Sequence, residues 1–101
     1  MSDYSNPTDV ARAEQTEKLV RRQELNDIRT VLSNASGRRF IWRVLGECKA
    51  FGSVFDSDNS YMCFLSGKQD LGHFLMAEIT QADENLLFKL MKENKKGDLD
   101  E

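Results

Sequence analysis

The chain has 101 residues, of which 17 are acidic and 14 basic, and its formal net charge at neutral pH is −3. About a quarter of the residues are Leu, Ile, Val or Phe, above the roughly 20% below which disorder is expected, and this length supports a single core. The longest uncharged run covers only residues 59–67 and no secretory leader opens the chain, so neither a membrane span nor export is expected.

The first predicted helix starts near Asp9, where Pro7 precedes residues suited to an N-cap, and runs without Gly or Pro to about Ser33. Its apolar stripe begins only after Leu19 and consists of Val20, Leu25, Ile28, Val31 and Leu32. Residues 1–18 are therefore predicted to form a polar, flexible arm or a loosely packed helix. Arg21 projects close to the apolar stripe, which indicates that the packed part begins after it.

The second predicted helix covers Gly37 to Phe51 and has the clearest helical period in the sequence. One sector of it holds Phe40, Ile41, Val44, Leu45, Cys48 and Phe51. Of these, Phe40, Val44, Leu45 and Cys48 are predicted to be nearly buried. Val44→Asp is accordingly expected to unfold the domain, because an unpaired buried carboxylate costs several kcal/mol. Gly46 costs about 1 kcal/mol relative to Ala inside a helix, and close approach of a neighbouring helix would explain it.

The remaining residues predict three short helical segments after a loop over residues 52–60. Residues 61–65 suit either a short strand or a helical turn capped by Asp58, and the helical turn is favoured because no second strand is available. Ser66 and Gln69 form a capping-box pair ahead of a helix over 67–81, whose inward residues are Leu71, Phe74, Leu75 and Ile79. A last helix over 84–96, capped by Asp83 and ended by Gly97, buries Leu86, Leu87, Leu90 and Met91.

These segments together predict a compact all-α bundle of four to five short helices. The helical domain is expected to cover residues 19–96, with the flexible arm before it and an acidic tail over residues 97–101.

Catalytic, metal and cofactor sites are not expected. The single histidine, His73, projects away from the apolar face of its helix, and the acidic run beginning at Asp56 lacks the Gly and Glu of a calcium loop. Cys48 and Cys63 are too few for a zinc site or a disulfide framework, so both are predicted to be small core residues in a reducing cytosol. The glycines match no nucleotide-binding loop. An enzyme is therefore not predicted.

A candidate partner-binding surface is indicated by charge, because residues 21–49 carry seven basic and three acidic side chains. Trp42 has two interpretations. It binds a partner, by stacking on a nucleic-acid base or by anchoring a protein interface. Alternatively, it completes the core and basic side chains lie over its ring. The candidate residues on the second helix are Arg38, Arg39, Trp42, Arg43 and Lys49. Arg22 and Arg29 join them if the first two helices pack as an antiparallel pair. The net negative charge disfavours nucleic acid as the partner.

The block Gly37-Arg38-Arg39-Phe40-Ile41-Trp42-Arg43, preceded by residues 21–28 and followed by Cys48 and Phe51, resembles a small phage-encoded family. That family is named after a late gene of a Bordetella bacteriophage and occurs mainly in short-tailed phages, near head and portal genes. The resemblance implies a virion or assembly protein that contacts other virion proteins or further copies of itself. A phage-encoded regulator that binds a host protein or nucleic acid is the alternative. Either would act in the host cytoplasm during infection, and the first would also enter the virion.

Overall fold

The computed structural model describes the backbone of residues 7–99 and the side chains of residues 7–95. Over this range the chain forms four α-helices and no strand: α1 (Pro7–Val31), α2 (Ala35–Glu47), α3 (Asn59–Ala82) and α4 (Leu86–Leu99). The predicted all-α fold is confirmed. Residues 1–6 of the predicted arm and residues 100 and 101 of the acidic tail lie outside the described residues.

Helix α2 begins one residue after Asn34, whose side-chain oxygen accepts a hydrogen bond from the Gly37 amide at 2.8 Å. A Cβ at position 37 would overlap the carbonyl oxygen of Val31, so the chain requires glycine where α2 starts beside the end of α1. The predicted end at Phe51 is wrong. Lys49 has φ 57°, in the left-handed region that ends a helix, and residues 48–51 form a turn.

Helix α3 is a single helix of 24 residues, not the two predicted segments. The helical interpretation of residues 61–65 and the Asp58 cap are confirmed, since Asp58 Oδ1 accepts from the Tyr61 amide at 3.1 Å. The predicted helix start at residue 67, with Ser66 in a capping box ahead of it, is wrong. Gln69 does not cap a helix; its amide donates to the carbonyl oxygens of Lys49 and Gly52, both at 2.8 Å, and so ties the turn after α2 to α3.

Helix α4 follows a turn over residues 83–85, in which Asp83 Oδ1 accepts from the Asn85 amide at 2.9 Å. The predicted stop at Gly97 is wrong, because α4 continues through Gly97 to Leu99. Of its predicted inward residues, Leu90 is fully buried and Leu86 and Leu87 pack against the core, but Met91 is 41% exposed.

The core forms where all four helices converge. Its most buried side chains are Leu32, the residue that follows α1, and Leu45, Ile79 and Leu90 on the other three helices. Helix α1 packs mainly against α3, while α2 and α4 contact each other and both contact α3. Helix α3 is therefore the element that the other three share.

A close helix contact lies at Gly72 and not at Gly46. A Cβ at position 72 would lie 2.8 Å from Cys48 Cβ and 3.1 Å from Ala50 Cβ, whereas a Cβ at position 46 would have nothing within 4 Å. Gly72 thus lets the turn after α2 sit directly on α3, and the predicted reason for Gly46 is wrong.

Several residues predicted to be inward are on the surface. Phe40 is 54% exposed, Leu71 61% and Phe74 59%, while Val44 is half-buried and Cys63 is exposed. For α2 the reason is a rotation: Leu45 and Cys48 are buried as predicted, but the inner face extends toward Trp42 and Arg38, which turns Phe40 outward.

Helix α1 extends well beyond the core. No residue of α1 is buried, and residues 10–20 are all exposed. Its packed part begins at Arg21 and not after it, since this side chain pairs with Glu78 of α3. The molecule is consequently long and thin, with extents of 63 × 38 × 17 Å.

Candidate partner-binding surface

Arg38, one of the predicted partner-binding residues, makes its polar contacts inside the protein. Its side chain is 11% exposed, and its Nε donates to Glu93 Oε1 at 2.9 Å. Its NH1 group donates to the carbonyl oxygen of Leu32 at 3.1 Å. Arg38 therefore links α2 to α4 and to the end of α1.

Trp42 lies half-buried on the inner side of α2 and packs against the core. Its ring stacks on Phe51, with centroids 5.1 Å apart and an interplanar angle of 29°. Phe51 is 47% exposed, so the pair carries apolar surface from the core out to the turn after α2.

Arg39 and Arg43 lie on the exposed side of α2, as predicted, with Phe40 between them in sequence. The Arg43 guanidinium carbon lies 5.8 Å from the centre of the Phe40 ring, within cation–π range. Arg39 donates to Ser36 Oγ, one turn earlier, at 3.2 Å. Arg39, Phe40 and Arg43 are named here the α2 outer face, a surface with two cations around an exposed aromatic ring.

The other predicted cations do not extend this face in the predicted way. The premise for including Arg22 and Arg29 is wrong, because α1 packs mainly against α3 and not against α2. Arg29 Nε donates to the carbonyl oxygen of Ala82 at the end of α3, and Arg22 is exposed on α1. Lys49 is exposed in the turn after α2, where its carbonyl oxygen accepts from Gln69.

A second apolar surface lies on α3 and includes Leu71 and Phe74, which were predicted to be inward. Tyr61, Phe64, Leu71 and Phe74 are 48%, 59%, 61% and 59% exposed, and together they are named here the α3 aromatic face. The rings of Tyr61 and Phe64 stack with centroids 6.2 Å apart, and Lys68 Nζ lies 5.4 Å from the centre of the Phe64 ring. The signal in the sequence was the width of the apolar sector of α3, which exceeds what one core can cover.

An apolar cleft of about 170 Å³ lies between α1, α2 and α3. Its walls are the side chains of Ile28, Val31, Leu32, Ile41, Leu75 and Ile79, and Asp27 lies at its edge. Val31 is 46% exposed, which places this side of the cleft at the protein surface.

A bidentate ion pair joins α1 to α3. Arg21 NH1 and NH2 donate to the two carboxylate oxygens of Glu78 at 2.8 and 2.7 Å, and further bonds run to Glu24 and Gln81. The hydrogen bonds from Arg21 lower the pKa of Glu78, and those to Glu78 and Glu24 raise the pKa of Arg21. This bidentate pair fixes the position of α1 on α3.

The residues considered for catalysis and metal binding contact the backbone of the protein. His73 is exposed, and its Nε2 lies 3.1 Å from the Ala50 carbonyl oxygen. In the acidic run, Asp56 accepts from the Asp58 amide at 2.8 Å, so it supports the cap of α3. Among the residues described, no three His, Cys, Asp or Glu side chains converge as metal ligands would. No helix within residues 7–99 combines the length and apolarity needed to cross a bilayer.

A family model described as Bbp19-like phage protein matches residues 28–92. This match covers more than half of the chain and includes α2, α3 and most residues of the core. Comparison with curated proteins and with solved structures gave no match. The match confirms the resemblance that the sequence carries in residues 37–43, and the chain belongs to the Bbp19-like phage protein family.

Proposed function

We propose that this phage protein is a structural or assembly component of the virion, in the head and portal region, which acts through protein–protein contacts. The observation that carries the proposal is the α3 aromatic face, where four large apolar side chains on one helix are about half exposed. An exposed group of this kind marks an interaction site when its members lie together.

The composition of the two exposed faces suits a protein interface. Interface centres are enriched in aromatic residues and Arg, which provide large contact areas with few rotatable bonds. The α2 outer face offers Arg39, Phe40 and Arg43, and the α3 aromatic face offers Tyr61 and Phe64 with Lys68 beside them. A partner with acidic residues around apolar ones complements both faces.

In this role the protein acts in two places in turn and is not an enzyme. The protein would fold in the host cytoplasm during infection and then join the virion. The two exposed faces combine cations with aromatic rings, which bind a surface and do not by themselves provide a nucleophile with its base.

Mass spectrometry of purified virions tests the proposal directly. Stoichiometric presence of the protein supports it, and absence from virions produced by a phage that expresses the protein overturns it. A phage with Phe64→Ser and Leu71→Ser should yield virions depleted of the protein, because both exposed anchors are removed. Ala77→Ser, an exposed position on the same helix, is the matched control.

A regulator that binds nucleic acid is the second candidate, favoured by one observation. On the α2 outer face a guanidinium lies over an exposed ring, an arrangement that can also stack on a base. Binding to a single-stranded oligonucleotide should then fall steeply with salt and be lost in Arg39→Glu with Arg43→Glu. The same variant would weaken an acidic protein contact, but the salt dependence of that contact would be shallower.

A further inference from the structure

We propose that copies of this chain associate through Phe88, which inserts into the cleft between α1, α2 and α3 of a neighbouring copy while Lys92 pairs with Asp27 at its edge. The inference goes beyond the proposed role in the virion, because it concerns the purified chain alone. Its failure would leave that role standing, and its success would not establish it.

The inserting element lies on the surface of α4. Phe88 is 74% exposed, although it stands two residues from the fully buried Leu90. Lys92 follows Phe88 by four residues, so the two side chains share one side of the helix, and Lys92 is also exposed. Helix α4 thus presents an aromatic ring with a cation one turn away, anchored on the core by its opposite side.

The receiving element has a matching size and charge. The cleft measures about 170 Å³, and an apolar cavity of about 150 Å³ is large enough to bind benzene. Asp27 at its edge is exposed, and its Oδ1 accepts only one hydrogen bond within the described residues, from Gln23 at 2.8 Å. Its carboxylate retains capacity for a lysine ammonium group. An apolar cleft with a carboxylate at its edge therefore complements a ring followed by a cation.

Among the described exposed phenylalanines, Phe88 fits this cleft best. Phe40 and Phe64 have a cation over their rings, and Phe51 stacks on Trp42. Phe55 is followed directly by Asp56, and Phe74 has Asp70 and Glu78 one turn away on either side. Phe88 has Glu84 before it, in the turn ahead of α4, and Lys92 one turn after it. Of these three rings, only Phe88 has a cation one turn away that can meet Asp27 as an opposite charge.

The contact joins two different surfaces, so it is heterologous. Each copy retains an unused Phe88 or an unused cleft after one contact forms, and further copies can add until a ring closes. A heterologous contact of this kind therefore allows more than two copies to assemble.

Analytical ultracentrifugation of the full chain over a concentration series tests the proposal. The wild type should associate with increasing concentration, and Phe88→Ala should weaken association at least about tenfold, as expected for an aromatic anchor. Phe55→Ala is the matched control, because it removes an exposed ring that the cleft does not receive. A wild type that stays monomeric at every concentration, or equal effects of both variants, would overturn the proposal.

Charge exchange tests the same contact without changing the core. Asp27→Lys and Lys92→Glu should each weaken association, and the double variant should restore it, because the pair is re-formed with reversed signs. Restoration supports the proposal, and a double variant weaker than either single one overturns it.

Mixing two defective variants provides the last test. Val31→Trp fills the cleft but keeps Phe88, and Phe88→Ala keeps the cleft but removes the ring. Their mixture should form a one-to-one complex that neither forms alone, provided that circular dichroism shows both variants folded. If α3 variants such as Phe64→Ser abolish association while Phe88→Ala does not, the interface lies on the α3 aromatic face and the proposal is wrong.

Discussion

Two stripes of residues run side by side along α3 with the same spacing of seven and different surroundings. Leu65, Gly72 and Ile79 are buried, against the turn after α2 at Gly72 and in the core at Ile79. The neighbouring stripe lies one residue earlier, where Phe64 and Leu71 are 59% and 61% exposed and Glu78 is paired with Arg21. Both stripes are largely apolar, so hydrophobicity alone does not separate core from surface in this helix. What separates them is which stripe a neighbouring element covers.

The largest effect is expected in the buried stripe. Ile79→Ala removes a fully buried side chain from the core and should lower the free energy of unfolding by about 2–5 kcal/mol, because lost apolar contacts and a residual cavity add. Denaturant unfolding followed by circular dichroism measures this. An Ile79 variant as stable as the wild type would show that the four helices do not pack around this residue.

The close contact at Gly72 gives a smaller but sharper test. Gly72→Ala places a Cβ 2.8 Å from Cys48 Cβ and should destabilise the protein by about 1–3 kcal/mol through overpacking. Gly67→Ala, on the same helix with nothing within 4 Å of the added Cβ, should instead stabilise it by up to about 1 kcal/mol. Thermal unfolding of both variants measures the two changes in stability. If both variants change stability in the same direction, the close contact does not lie at Gly72.

The sequence predicted helices better than it predicted what covers them. The period of α2 and the Asp58 cap are local properties, readable from spacing and residue type, and the structure confirms the cap. The packing of α1 on α3 is not local, since it depends on Arg21 reaching a carboxylate 57 residues away. The same holds for Gln69, whose capping-box pattern is genuine in sequence but whose amide bonds carbonyl groups 20 and 17 residues earlier.

The candidate surface was predictable only in part, for the same reason. Arg39 and Arg43 are exposed because they oppose the apolar sector of α2, which spacing reveals. Arg38 stands beside Arg39 in sequence, yet an ion pair with α4 draws it inward. Leu71 and Phe74 were predicted to be inward, because nothing in the sequence states how much of α3 its neighbours cover.

Glu78, the polar member of the neighbouring stripe on α3, predicts that the stability of the fold depends on pH. Arg21 holds the pKa of the Glu78 carboxyl group below its ordinary value, so the pair contributes its full stability at pH values above that ordinary value. This contribution is lost as pH falls through the lowered pKa, since protonation of Glu78 removes the ion pair. Glu78→Gln should be less stable than the wild type at pH 7, by less than Gly72→Ala, and the difference should vanish at low pH. Melting temperatures between pH 7 and pH 2 test this, with Glu84→Gln as an exposed control.

The smallest effect on stability is expected in the exposed part of the neighbouring stripe. Phe64→Ser should change the free energy of unfolding by no more than about 0.5 kcal/mol, as is usual for surface substitutions. Its thermal unfolding should match that of the wild type even where binding to a virion partner is lost. Destabilisation comparable to that of Ile79→Ala would mean that α3 buries both stripes in solution.

The exposed half of α1 has a consequence that is best stated in helix–coil terms. Residues 10–20 are all exposed, and an isolated helix of this length is marginal in water because its first turn is costly to nucleate. Here the packed residues from Arg21 onward supply that nucleus, so the exposed turns need only propagate from it. Their opening should therefore be graded along the segment, with amide exchange fastest near Val10 and slowing toward Val20. Forms of α1 with different helix lengths then differ little in free energy, so a partner that binds this segment selects one of them at little energetic cost.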